Sequence, residues 1–370
     1  MIYFDNAAST PLCEAAKEIL TQDYGNPSSP HALGLEAERA LKIAAKQLAG
    51  LLFCKSEEII FTSGGTESNN LGILGAAFAL KSARGHKNDL RILASNHEHP
   101  SVIEPLNYLA SLPGFKVSFT SDFEQDADMI CISQVSSETG DIYNIEKSSD
   151  AILFVDGAQS FCKIPPPACA DIFTFSAHKI HGPMGVGGLM LRKEIRLAPL
   201  MYGGGQQNRL RPGTENVSGI LAMAAAVSNS FTDSSKIQNI KNIISSLADE
   251  LPDTHINQVS EKASPYILNI SFLGVRGETL TSLLSSRGLC VSMGTACRSA
   301  KKESALSAMG FSKQRAESAI RLSFSVMNTE EEAQQAKEII KASVKELRFE
   351  KSTTNKIRRD RSAKRKPRTV

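Results

Sequence analysis

Short apolar runs separated by helical stretches limit the architecture open to this chain. Ile59-Ile60-Phe61, Arg91–Ser95, Met129–Ser133, Ala151–Asp156 and Asp171–Ser176 all have strand length, and several lack the apolar–polar alternation of a half-exposed strand. Such runs with helices between them predict a parallel sheet covered on both faces. The helices are read from spacing: Leu41, Ala44, Ala45 and Leu48 recur at helical intervals after His31, and another helix is expected from about Glu67 to Leu80. In sheets of this kind ligands lie outside the carboxyl ends of the strands, so the residues that follow each run are the ones to inspect.

The texture changes after a helical stripe of Ile237, Ile240, Ile244, Leu247 and Leu251 that ends at Pro252. Ile267–Phe272, Leu289–Ser292 and Ile320–Phe324 read as strands, and Ala333, Ala336, Ile339, Ile340, Val344 and Leu347 as a closing helix. The fold class is therefore α/β, a large domain with a mostly parallel sheet plus a smaller α+β domain. The expected divisions are an N-terminal arm over 1–13 that belongs with the small domain, a large domain over 14–250, a small domain over 251–349, and a disordered basic tail over 350–370.

Charge separates the tail from the body. Nine Lys/Arg and one Asp lie between Lys351 and Val370, which leaves 33 basic and 38 acidic residues in the other 350, a net of −5. A basic segment almost without apolar residues either serves only solubility or makes a weak electrostatic contact with nucleic acid. The 370 residues include no apolar run approaching the roughly 20 residues of a membrane span, and Ile2-Tyr3-Phe4 is expected to begin ordered structure, with no transit peptide expected before it. Seven cysteines without a Cys-x-x-Cys pair suggest reduced thiols and a cytoplasmic setting, with no local metal pattern.

Five features fall at strand ends or helix starts. Ser63-Gly64-Gly65-Thr66 precedes a helix and offers backbone N–H groups to a phosphate, although Gly-rich turns are common. His99 follows a strand and is placed to lie against an aromatic ring, or to serve the fold as a satisfied histidine. Asp156 ends a strand with a carboxylate that can pair with a pyridinium N–H. Lys179 follows Ser176-Ala177-His178 at the mouth of the sheet, before the Gly182-Pro183 turn. A lysine there is either an ordinary surface residue or an amine that forms a Schiff base in its neutral state. Cys297 sits in the small-residue loop Ser292-Met293-Gly294-Thr295-Ala296-Cys297-Arg298-Ser299; a buried inert thiol is the ordinary reading of any one cysteine, but such a loop packs little core. Together they read as a pyridoxal phosphate site with an additional thiol nucleophile.

The same motifs carry a family resemblance. Phe4–Pro11, Tyr24–Ser29, Phe61–Asn69, Glu98-His99, Val155–Ser160, Phe175–Gly182, Arg211–Thr214 and the Cys297 loop, in this order and spacing, make residues 2–347 similar to the cysteine desulfurases of the NifS/IscS-like branch of the class V aminotransferases. The resemblance implies the type I pyridoxal phosphate fold, a homodimer and L-cysteine as substrate. It implies that Lys179 bears pyridoxal 5'-phosphate, that His99 stacks on the ring, and that Asp156 and Gln159 meet the ring nitrogen and phenolic oxygen. Gly65, Thr66, Ser176 and His178 would hold the phosphate, with Thr214 reaching in from the other subunit. Arg321 would bind the substrate carboxylate, and Cys297 would take the sulfur as a persulfide and pass it to an acceptor protein, an iron–sulfur scaffold or a tRNA-thiolation enzyme.

Departures from the pattern are Ser136-Ser137 where the family has two asparagines, shortened segments near 120–128 and 145–150, Thr295 for the usual serine, and the basic tail. Competing readings are a selenocysteine lyase or another class V enzyme, and an inactive cofactor-binding scaffold that contacts RNA through its tail. Cys297 favours sulfur transfer, since a plain transaminase needs no thiol.

Overall fold

The computed structural model describes residues 1–85, 89–121, 123, 126–147, 150–228, 234–294 and 305–363, the last fourteen as backbone only. The first strand, β1 (Ile2–Tyr3), is followed by seven strands of one central sheet: β2 (Ile59–Thr62), β3 (Leu90–Ala94), β4 (Phe115–Phe119), β5 (Met129–Ser133), β6 (Ile152–Asp156), β7 (Ile172–Ser176) and β8 (Gly187–Leu191). Their order is β2-β8-β7-β6-β5-β3-β4, parallel except for β8, which runs against both neighbours.

Each central strand is apolar on both faces because helices cover both. Phe154 and Ile172 pack with Leu71, Ile73 and Val102 on one side, while Leu153, Val155 and Phe173 pack with Leu41, Leu48 and Met223 on the other. Alternate residues of one strand thus enter two separate cores, and this is why the strands read as unbroken apolar runs. The expected parallel sheet is what the structure contains.

A second, antiparallel sheet has the order β12-β13-β10-β9, with β9 (Thr254–Ile256), β10 (Ile267–Phe272), β12 (Ser292–Met293) and β13 (Ala319–Ser323), and β11 (Leu289–Cys290) pairs separately with β1. The single strand expected over Leu289–Ser292 is therefore two short ones that serve different sheets. Ile2 and Phe4 enter the core of this smaller unit, where Phe4 meets Phe324 edge-on with ring centroids 5.1 Å apart.

Two boundaries differ from the sequence reading. The helix Ser234–Ser245 and the turn Leu247–Glu250 bury Ile237, Ile240, Ile244, Leu247 and Leu251 against β10 and its neighbours, so this stripe belongs to the second core and not to the large domain. An apolar stripe shows that a helix is buried on one side but not which sheet lies beneath it. At the other end, the helix Glu330–Ala363 continues past Phe349, where a disordered tail was expected. No Gly or Pro stands between 330 and 366 to break the helix.

Candidate active site

The carboxyl ends of β2, β5, β6 and β7 open into a cleft of about 500 Å³. Ser63, Gly65, Thr66, His99, Ser137, Asp156, Gln159, Ser176, His178 and Lys179 all line it, so residues more than a hundred positions apart in sequence share one surface. Strand register accounts for much of this: Ser133 pairs with Asp156, and Asp156 with Thr174.

The helix Gly65–Arg84 points its N-terminus into the cleft. Two glycines make the approach. Gly64 has φ +152°, a conformation side chains rarely adopt, and a Cβ on Gly187 in β8 would lie 2.7 Å from Gly64 Cα. The helix start therefore sits directly against the end of β7. Ser176 Oγ, His178 Nδ1 and Gln159 Oε1 are buried and have no hydrogen-bond partner among the described residues. Buried polar atoms are almost always paired, so the Ser176 hydroxyl and the His178 nitrogen beside a helix N-terminus mark where an anionic group belongs, while Gln159 Oε1, an amide oxygen, calls for a donor. His178 is also held neutral, its imidazole pushed down to about 4 by burial and then by Lys179 and Lys163.

Asp156 is buried and fixed from two sides. Asn69 Nδ2 donates to its Oδ2 at 2.8 Å, and the Ala158 backbone N–H to its Oδ1 at 2.8 Å. Asn69 also donates to Ser101 Oγ at 2.8 Å and accepts from Thr174 Oγ1 at 2.6 Å. Ser101 Oγ in turn meets His99 Nδ1 at 2.7 Å. One chain of hydrogen bonds thus links the two side chains expected to face an aromatic ring from its edge and its face. Burial keeps His99 below the usual imidazole range, so the ring is neutral at pH 7.

Lys179 is half-buried in a tight turn after β7. Its Nζ donates to the backbone carbonyls of Ala7 at 2.5 Å and Ala8 at 2.9 Å. Its amine is brought down to about 8, first by burial and then by the Arg321 charge, against the opposing pull of Asp156 and Asp5. Thr10 N and Oγ1 both donate to the His178 carbonyl, and Gln159 Nε2 donates to the Ala7 carbonyl. The N-terminal arm is therefore a wall of the site.

Arg321, on β13, is buried behind Ser137. Nη1 donates to the Ser137 carbonyl at 2.8 Å and lies 3.8 Å from Glu138, while Nη2 is 3.4 Å from Asp5 Oδ1. Its Nε is buried without a partner among the described residues. Asp5 also accepts from Ser292 Oγ at 2.7 Å, which ties the root of the cysteine loop to this arginine. Cys297 itself lies outside the described residues. Thr214 stands on an exposed loop and does not line the cleft of its own chain. Ser136 caps the following turn through Glu138 N and Thr139 N, leaving Ser137 to face the cleft.

Two residues were missed as site residues. Asn69 organises Asp156 and His99, and its only mark in the sequence is a polar Ser68-Asn69-Asn70 step inside an apolar helix. Glu98 accepts from both the backbone N–H and the hydroxyl of Ser133, and burial pushes its carboxyl up to about 7.

Comparisons with known proteins agree with this geometry. The aminotransferase class-V family model matches residues 2–336. The cysteine desulfurase IscS of Dictyoglomus turgidum is 34% identical over 381 residues, covering 94% of this chain and 95% of its own. A solved NifS-like protein superposes with a TM-score of 0.82 at 32% identity over 94% of this chain and 99% of that one. SspA, solved in complex with cysteine, gives 0.76 at 28% identity over 88% and 99%. The chain belongs to the class-V aminotransferase family, whose cofactor is pyridoxal phosphate. Within it, the chain falls in the NifS/IscS-like branch. Among the described residues, no helix is long and apolar enough to cross a membrane.

Proposed function

We propose that this chain is a pyridoxal-phosphate-dependent cysteine desulfurase, which converts L-cysteine to L-alanine and transfers the sulfur to Cys297. The observation that carries the reading is Lys179, an amine near neutrality that shares one cleft with Asp156, His99 and three unpartnered buried polar atoms. Lys179 would bear the cofactor, with His99 against its ring, Asp156 toward the ring nitrogen and Gln159 toward the phenolic oxygen. Gly65, Thr66, Ser176 and His178 take the phosphate, joined by Thr214 from the second subunit of a homodimer. Bound there, the cofactor supplies an electron sink next to the substrate Cα.

The remaining steps belong to the protein's own groups. The donors left on Arg321, Nε and the loosely held Nη2, grip the substrate carboxylate. Neutral Lys179 takes the Cα proton and returns it. The Cys297 thiolate attacks the substrate sulfur, the Cβ–S bond breaks, and Cβ gains a proton. Two thiols become alanine and a persulfide, so the sulfur's oxidation is balanced by reduction at Cβ. An ordinary thiol, with a pKa of about 8.5, is only a few per cent thiolate at neutral pH, so Arg298 next in sequence, or an acid–base partner in the site, must raise that fraction.

The persulfide sulfur then passes to an acceptor protein of an iron–sulfur or tRNA-thiolation system. The six described cysteines are all free thiols, in keeping with a reducing cytoplasmic setting. The basic C-terminal segment adds a weak contact with nucleic acid. Incubating the purified full chain with L-cysteine should give one alanine per sulfur released. Colourless protein without bound cofactor, or intact cysteine, would refute the assignment.

A further inference from the structure

The steps above make no use of one buried amide in the second sheet. Asn269 lies in the middle of β10 and is fully buried, where an amide is costly unless each of its polar atoms is paired. Strand register places it beside the site. Asn269 stands opposite Arg321 of β13, and Arg321 stands opposite Ser292 of β12, so the three side chains form one row on one face of the sheet. Each reaches a different neighbour: Arg321 the Ser137 carbonyl, Ser292 the Asp5 carboxylate, and Asn269 Nδ2 the carbonyls of Glu138 at 3.1 Å and Gly294 at 3.4 Å. Gly294 can close over the amide because it has no side chain. A Cβ there would lie 2.5 Å from Ala319 Cβ and 3.0 Å from Asn269 Nδ2.

The amide is also held in one direction. Arg315, in the helix Lys313–Glu317, has only donors to offer; its Nε donates to Asn257 Oδ1 at 2.9 Å and its Nη2 to the Ile256 carbonyl at 2.7 Å. Buried Asn257 therefore turns Nδ2 to its other side, where it donates to Asn269 Oδ1 at 2.7 Å and to Ser271 Oγ at 2.6 Å. With Oδ1 taken, the NH2 of Asn269 is left for the two carbonyls, which can only accept. A permanent cation thus sets, through two amides, the way Asn269 donates.

We propose that Asn269 is a positioning residue for sulfur transfer: its one amide ties the turn that Arg321 grips at Ser137 to the strand end at Gly294, and so fixes where the substrate carboxylate lies relative to the chain that leads to Cys297. Cys297 follows Gly294 by three positions, a span of at most roughly 11 Å, so the place of Gly294 bounds the reach of the thiol. The inference rests on the reading of Arg321 as the carboxylate-binding residue and Cys297 as the sulfur acceptor.

The test compares the full chain, carrying pyridoxal phosphate, with Asn269→Ala and Asn257→Ala. Asn269→Ala should raise the KM for L-cysteine and lower kcat, each by roughly tenfold, because both the carboxylate grip and the approach of the thiol lose their common tie. A merely structural role would lower Tm and leave KM and kcat of the folded enzyme at wild-type values, and that result overturns the proposal. Asn257→Ala keeps Asn269 but removes the donor that orients it, and should show the same two changes at about threefold. Wild-type constants in Asn257→Ala overturn the proposal even where Asn269→Ala does not fold. Deuterium exchange of residues 136–140 and 292–294, read without substrate, should quicken about tenfold in Asn269→Ala and less in Asn257→Ala, and unchanged exchange at either segment in both variants also overturns it. Exchange needs no turnover, so a wild type that leaves L-cysteine intact would remove the desulfurase reading while the exchange comparison still decides whether Asn269 ties the two segments.

Discussion

Asn69 holds Asp156 at 2.8 Å and reaches His99 through Ser101 with the same amide nitrogen. The carboxylate at the edge of the expected ring and the imidazole over its face are thus set by one side chain on the helix Gly65–Arg84. Asn69→Ala should leave Asp156 misplaced beside an unpaired Thr174 hydroxyl. Turnover should fall at least tenfold, and the absorbance of the bound cofactor should shift. Unaltered spectra and kinetics would show that Asp156 needs no such support.

Asp156→Asn tests the carboxylate itself. The amide keeps the shape and a hydrogen bond but cannot hold a ring nitrogen protonated, so the variant should bind the cofactor yet lose most of its turnover. Borohydride reduction of the wild type should fix the cofactor to Lys179. Label on a different lysine would contradict the role given to this one.

Glu98 predicts a pH-dependent stability. Its folded carboxyl is raised to about 7, above its unfolded value of about 4.3, so the folded state holds the proton more tightly. Stability linked to this group is intact below the unfolded value and is lost as pH rises through 7, where the buried carboxylate must ionise. Glu98→Gln removes that loss, and its Tm relative to wild type should climb between pH 5 and pH 8. A Tm difference that stays flat over this range would place the ionisation elsewhere.

Cys297→Ser separates binding from sulfur transfer. A hydroxyl is barely ionised and a poor nucleophile toward sulfur. The variant should keep its colour and its spectral response to L-cysteine while alanine falls to background. Wild type treated with L-cysteine should gain one sulfur on the Cys297 peptide, removable by reductant. Persulfide on Cys290 would redirect the mechanism to a half-buried thiol at the end of β11.

The basic segment should matter only at low salt. A chain ending at Glu350 retains Leu347, a side chain packed against the small-domain core, so desulfurase activity should persist. Its affinity for RNA should drop, and the dependence of log affinity on log salt, roughly 0.7–0.9 per phosphate contacted, should flatten. Equal RNA binding by both chains would assign the contact to another surface.

The central sheet was legible because its strands carry their burial in their own composition: Phe154 and Val155 face opposite cores and are both apolar. Lys179 and Asp156 were legible because one stands just past such a run and the other at its end, where a charged residue has no packing reason to be. Asn69 and Glu98 were not, since each works through partners 32 to 105 residues away that no local pattern joins to it. The stripe from Ile237 to Leu251 misled for a related reason. Its periodicity is local, whereas the sheet it covers is set by β10 and the N-terminal strand.

The arm that walls the site also sets the order in which the molecule can be finished. Residues 2–5 pair with Leu289, Cys290 and Ser323, and Ala7 and Ala8 receive the Lys179 amine only when that arm is in place. On the ribosome the arm is made long before Leu289, Cys290 and Ser323, so it must wait, unpaired, until they have been added. Lys179 therefore acquires its final surroundings only in chains that have been translated past Ser323. A prematurely terminated product holds the lysine but not the pocket that makes it reactive, so aborted chains should carry little stray carbonyl chemistry.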